Sequence, residues 1–101
     1  MKILAIFRLT PETTADDLEP YIPEEAQTVW EGYVSGFVRE IYLAGDQSDT
    51  DTGSSVTVGI VETETITDAR KNLTDLPLIK HDLITVELIE LKPFTTWESL
   101  F

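Results

Sequence analysis

Two carboxylates in the first half of the chain stand where their surroundings make an acid costly. Glu40 lies in Val38-Arg39-Glu40-Ile41-Tyr42-Leu43, a β-branched and aromatic run. A carboxylate among such side chains is expensive to bury unless it is paired. Strict alternation puts Val38, Glu40 and Tyr42 on one face, with Arg39, Ile41 and Leu43 on the other. At a sheet edge, Glu40 would reach water and protect that edge. In a covered strand, Glu40 and Tyr42 would instead line a cavity between sheet and helices. Glu25 falls at the border of a helical apolar stripe, beside Val29, as either a flank residue or a carboxylate over a pocket mouth. Glu25 and Glu40 in one pocket would have their pKa values pushed apart, as acid–base work on a carbon acid requires. Trp30 and Tyr42 would then shape the substrate site, although Trp30 and Tyr33 at helical spacing are more often core.

Other chemistries find no residues to carry them. The single His, His81, sits between Lys80 and Asp82 and reads as a surface residue. Asp46, Asp49, Asp51 and Gly53 lack the EF-hand order, and Ile60 stands where the bidentate Glu would be. The chain has no Cys, which removes disulfides, thiolate nucleophiles and most zinc sites. It also has no glycine-rich phosphate loop and no nucleophile elbow. The expectation is a site without metal or cofactor.

The elements that position these residues follow from hydrophobic spacing. Ile3 to Leu9 is a near-continuous apolar run, a strand covered on both faces. A polar segment containing Pro20 and Pro23 leads to a helix with the stripe Ala26, Val29, Trp30, Tyr33 and Phe37, stopped at Gly36. Phe37 to Ala44 is a second strand, and Ser55 to Val61 a third, joined by an acidic loop over Gly45–Ser54. Thr65 to Asp68 opens a second helix in the manner of a capping box. Its stripe is Ile66, Ala69, Leu73 and Leu76, and Pro77 ends it. His81 to Leu91 is the fourth strand.

This order, β-α-β-β-α-β, predicts an α+β ferredoxin-like domain over residues 1–93: a four-stranded antiparallel sheet with both helices on one face. The strands are apolar on both sides, however, and no element remains to cover the second face. A second copy would cover it, giving a homodimer of the dimeric α/β-barrel kind. The arm at 94–101, with Phe94, Trp97, Leu100 and Phe101, would then contact the partner subunit.

Nineteen acidic against seven basic residues give a net charge of −12, which argues against nucleic-acid or anionic-membrane partners. Together with fourteen Thr, the acidity reads either as the solvated shell of a halophilic protein or as an ordinary acidic one. The N-terminal apolar run is too short for a membrane span and lacks a signal-peptide cleavage site, so a cytoplasmic location is expected.

Several segments also carry a family likeness: Glu25-Ala26 followed by Trp30, the turn Ser35-Gly36, Arg39-Glu40-Ile41-Tyr42, Asp68-Ala69-Arg70, and above all Leu73-Thr74-Asp75-Leu76-Pro77-Leu78. They resemble the muconolactone delta-isomerase family of dimeric α/β barrels, over roughly Glu24 to Phe94. The resemblance implies a cofactor-free proton shift in an unsaturated γ-lactone, within a pocket at a subunit interface. It makes Glu25 the general acid/base. Glu40 stands where the isomerases have a His and Tyr42 where they have a Trp, so the departures fall in the pocket itself. An acidic pair there would disfavour a strongly anionic substrate. The alternative from a different class is a non-catalytic binding or assembly protein that keeps the barrel and its small apolar ligand.

Overall fold

The computed structural model describes residues 1–44 and 56–101. Strands β1 (Lys2–Leu9), β2 (Val38–Ala44), β3 (Val56–Glu62) and β4 (Ile84–Leu91) form one antiparallel sheet in the order β2-β3-β1-β4. The α-helices among the described residues are α1 (Ala15–Leu18), α2 (Ile22–Ser35), α3 (Ile66–Leu73) and α4 (Pro77–Lys80). The acidic loop and its Asp residues, and Ser55, lie outside the described residues.

Register assigns the two sheet faces. Ile3 pairs with Val61, Ala5 with Gly59 and Leu88, and Phe7 with Thr57 and Val86. These side chains meet Ala69, Leu73 and Leu76 from the helical layer, in a core where Ile3, Ala5 and Ala69 are fully buried. Leu4, Ile6, Val58, Ile60 and Ile89 lie on the opposite, open face by the same register. Among the described residues, no helix covers them. The fold is the expected four-stranded antiparallel α+β sandwich with helices on one side only.

Local chemistry explains the element ends. Gly36 closes α2 at φ 88°, a left-handed conformation that glycine adopts without steric cost. Thr65 caps α3 by accepting the Asp68 N–H at 3.1 Å. Pro77 does not end the second expected helix, α3, which stops at Leu73: after Leu76 in extended backbone it opens α4, because proline suits a first helical turn whose N–H groups have no partner. The polar stretch before α2 is also more ordered than its composition indicates. It folds as α1, where Asp17 accepts the Thr14 N–H at 2.9 Å, followed by a 3₁₀ turn at Glu19–Tyr21. The fourth strand starts three residues later than expected, since His81 and Asp82 turn the chain, with Asp82 at φ 57°. His81 is exposed and stacks on Tyr21, ring centroids 4.3 Å apart.

One irregularity decides the site. Val38 pairs with Val61 and Glu40 with Ile60, so Arg39 is an extra residue in β2. Such a bulge resets the alternation. Val38, Ile41 and Leu43 therefore share the helix face, while Glu40 and Tyr42 share the open one.

Candidate functional site

The helical layer does not seal against the sheet along its whole length. Between α2, the sheet and the α3–α4 segment runs a cleft with two lobes that share Phe7, Val29, Ile41 and Leu76. The first lobe, about 380 Å³, lies between Gly32 and Ser35 of α2, Gly59 and Val61 of β3, and Asn72 and Leu73 of α3. The second, about 280 Å³, lies under Leu18 and Ile22, against Leu43, Thr57 and Ile84 of the sheet and Leu78 of α4. Both are largely apolar; the first falls within the range typical of small-molecule sites and the second just below it.

Glu25 lines the second lobe. Its Oε1 accepts the backbone N–H of Leu78 at 3.0 Å, so the carboxylate from α2 supplies the cap that α4 lacks from its own sequence. Burial in the cleft pushes the Glu25 carboxyl above its ordinary value. The Leu78 hydrogen bond opposes that shift, and the neighbouring Glu24 charge adds to it. Oε2 has no protein partner among the described residues. Thr57 lines the same lobe from β3, and its hydroxyl makes no side-chain hydrogen bond there. A half-buried carboxyl with one restrained oxygen and one free oxygen, beside a hydroxyl in an apolar pocket, is equipped to take and return a proton.

The other expected site residues lie elsewhere. Glu40 and Tyr42 do not join Glu25: the bulge at Arg39 turns them to the open face, where the Tyr42 hydroxyl donates to Glu40 Oε1 at 2.8 Å. That bond and the Glu40 charge raise the Tyr42 pKa. β2 is an edge strand, and Glu40 is exposed, as its edge-strand reading required. Trp30 is 59% exposed and stacks on Tyr33 at 5.6 Å. It lines a shallow external groove with Ala26 and Val38, outside both lobes. Within one chain, therefore, the cleft contains Glu25 without its expected partners. The residues that pattern reading missed are Thr57 and the first-lobe polar edge of Thr28, Glu31, Asn72 and Asp75. Thr57 alone carried a signal, as a polar residue on the helix face of β3.

No family model matches the chain, and no curated protein matches it. Solved structures do. The chain is similar to 5-chloro-2-hydroxyhydroquinone dehydrochlorinase (TftG) from Burkholderia phenoliruptrix, solved with 2,5-dihydroxybenzoquinone, at TM-score 0.64 and 16% identity over 95% of this chain and 98% of that one. An antibiotic biosynthesis monooxygenase superposes at TM-score 0.53 with 20% identity, covering 92% of this chain and 100% of its own. SnoaB, a cofactor-independent oxygenase from Streptomyces nogalater, gives TM-score 0.52 and 14% identity over 92% and 95% of the two chains. At such identities the likeness defines the fold. The chain has the ferredoxin-like α+β fold of these neighbours. The isomerase family named by the local motifs is not among the structures cited above. Among the described residues, no helix is long and apolar enough to cross a membrane.

Proposed function

We propose that the chain is a cofactor-free enzyme that shifts a proton within a small, apolar-bodied carbonyl compound such as an unsaturated lactone, with Glu25 as general acid/base. The observation that supports this most is the Glu25 carboxyl itself, held by Leu78 at one oxygen and raised by burial in the second lobe. Oε2 takes a proton from the carbon next to the carbonyl, and the electron pair moves into the π system as a dienolate. Thr57 donates a hydrogen bond to the enolate oxygen. The protonated Glu25 then returns its proton at the far end of the dienolate. Atoms and electrons balance, and no redox partner is needed. Glu40 and Tyr42 have no part in this step.

The same proposal includes a homodimer. On a chain of net charge −12, the open face is electrically balanced: Lys2, Arg8 and Arg39 stand against Glu40, Glu62 and Glu87. Two ion pairs lie within that set, Arg8–Glu87 at 2.9 Å and Arg39–Glu62 at 2.7 Å. A neutral apolar sheet face is the part of such a molecule on which two copies can meet without strong repulsion. The arm, with Phe94 packed edge-on against Trp97 at 5.0 Å and both rings exposed, would extend that contact.

Proton exchange tests the chemistry. A neutral unsaturated γ-lactone incubated with the protein in deuterated buffer is expected to exchange its acidic C–H and to isomerise. Glu25→Gln is expected to slow both by roughly 10²- to 10⁴-fold, and Glu40→Gln to leave them within about twofold of wild type. Lactone binding without exchange would mark a non-catalytic binder, and exchange unchanged in Glu25→Gln would remove Glu25 from the mechanism.

A further inference from the structure

The polar edge of the first lobe is rich in acceptors. The Thr28 hydroxyl donates to the Glu24 carbonyl at 2.9 Å and the Ser35 hydroxyl to the Gly32 carbonyl at 3.0 Å. Both hydroxyl protons are thus committed to the helix, and the oxygens present lone pairs. Glu31 adds a carboxylate from α2 and Asp75 another from the turn after α3. Among the residues of this edge, only the Asn72 amide can donate. Among the described residues, Arg8 is the one basic residue lining either lobe, and its guanidinium is paired with Glu87, on the sheet face away from the helices by register.

We infer that the cleft selects an uncharged, apolar-bodied compound bearing a hydroxyl group, and excludes carboxylates of the same shape. The hydroxyl donates into the first lobe between Glu31 and Asp75. The apolar body crosses Phe7, Val29, Ile41 and Leu76, which places the other end in the Glu25 lobe. A carboxylate would bring a third negative charge beside two carboxylates, with no basic side chain among the described residues lining that lobe, a juxtaposition costly in any partly desolvated site. This assigns the substrate class of the site proposed above and rests on that reading only for which end reacts.

Three probes of one shape separate the terms: naphthol, methoxynaphthalene and naphthoate, each titrated into the full chain at low salt and followed by the amide shifts of Gly32, Gly59 and Leu73. Naphthol is expected to bind about fivefold tighter than methoxynaphthalene, the worth of one hydrogen bond. It is expected to bind at least about tenfold tighter than naphthoate. Glu31→Gln with Asp75→Asn, both at exposed positions, is expected to bring naphthoate to within about threefold of naphthol, as is raising the salt to screen the charges. Naphthoate binding as tightly as naphthol to the wild type would overturn charge exclusion. Equal binding of naphthol and methoxynaphthalene would overturn the hydroxyl preference, and binding of no probe would overturn the site. Glu25→Gln is expected to keep the ranking. A kept ranking with undiminished proton exchange would therefore defeat the Glu25 mechanism and leave the selectivity standing.

Discussion

Glu25 links stability to ionisation. Its carboxyl is raised above the ordinary value of 4.5 chiefly by burial, so around and above that value the folded chain binds more protons than the unfolded one. The fold is therefore favoured by this group at low pH. It loses that contribution as pH rises from the ordinary value through the raised one, and is constant beyond it. Glu25→Gln keeps an oxygen for the Leu78 N–H and removes the titration. The expected outcome is a flatter profile of denaturation midpoint against pH over that window, with stability at neutral pH equal to or above wild type. Glu25→Ala also removes the acceptor and is expected to cost about 1–2 kcal/mol, read from urea unfolding at pH 7. At this scale the sequence located one of the two candidate carboxylates in the cleft. Glu25 was legible because its position at the stripe border follows from helical periodicity, which α2 obeys without interruption. Glu40 was misplaced because strand periodicity depends on an unbroken register, and one added residue inverts it.

The elements were legible wherever a single period ran their length: β1, α2 and β3 lie where spacing placed them, while α3 ends before Leu76 and β4 begins only at Ile84. Short pieces governed by caps rather than by period were not. The turn at α4 depends on Pro77 being prepared for a first helical position and on a carboxylate arriving from α2, a contact between residues 53 positions apart in sequence. The depth of the cleft depends on close approach of α2 to β2. A Cβ at Gly32 would lie 3.0 Å from Val38 Cγ2 and 3.6 Å from Phe37, tighter than packed side chains tolerate. Gly32→Ala gains helix propensity of about 1 kcal/mol and loses about 1–3 kcal/mol to overpacking. The expected outcome is a net loss of about 1 kcal/mol in chemical denaturation, with naphthol affinity in the first lobe reduced because α2 must move.

At the scale of the molecule, the apolar open face and the exposed arm define what assembly has to cover. Sedimentation equilibrium at tens of micromolar is expected to show a dimer that tightens with salt, because screening relieves repulsion between two chains of charge −12. Ile60→Glu sets a second carboxylate directly opposite Glu40 on a face that must be shared, and is expected to give a folded monomer. Truncation after Pro93 is expected to weaken association several-fold. A wild-type monomer across that concentration range would end the dimer reading. The apolar character of the open face was legible in the two-faced strands. The balance of charge on the open face was not, because it depends on which residues register brings side by side.

The extra residue in β2 has a genealogical side. With Arg39 set aside, Val38-Glu40-Ile41-Tyr42-Leu43 alternates cleanly, with apolar residues towards the cleft and the Glu40–Tyr42 pair away from it. Arg39 is thus the position at which this strand can lose a residue and still deliver the same side chains to both faces. With Arg39 still bulged, removing Glu40, Ile41 or Tyr42 would exchange the two sets for the rest of the strand. Between this chain and its relatives, a one-residue difference in length here says nothing about the cleft, whereas the same difference two positions later marks a different site.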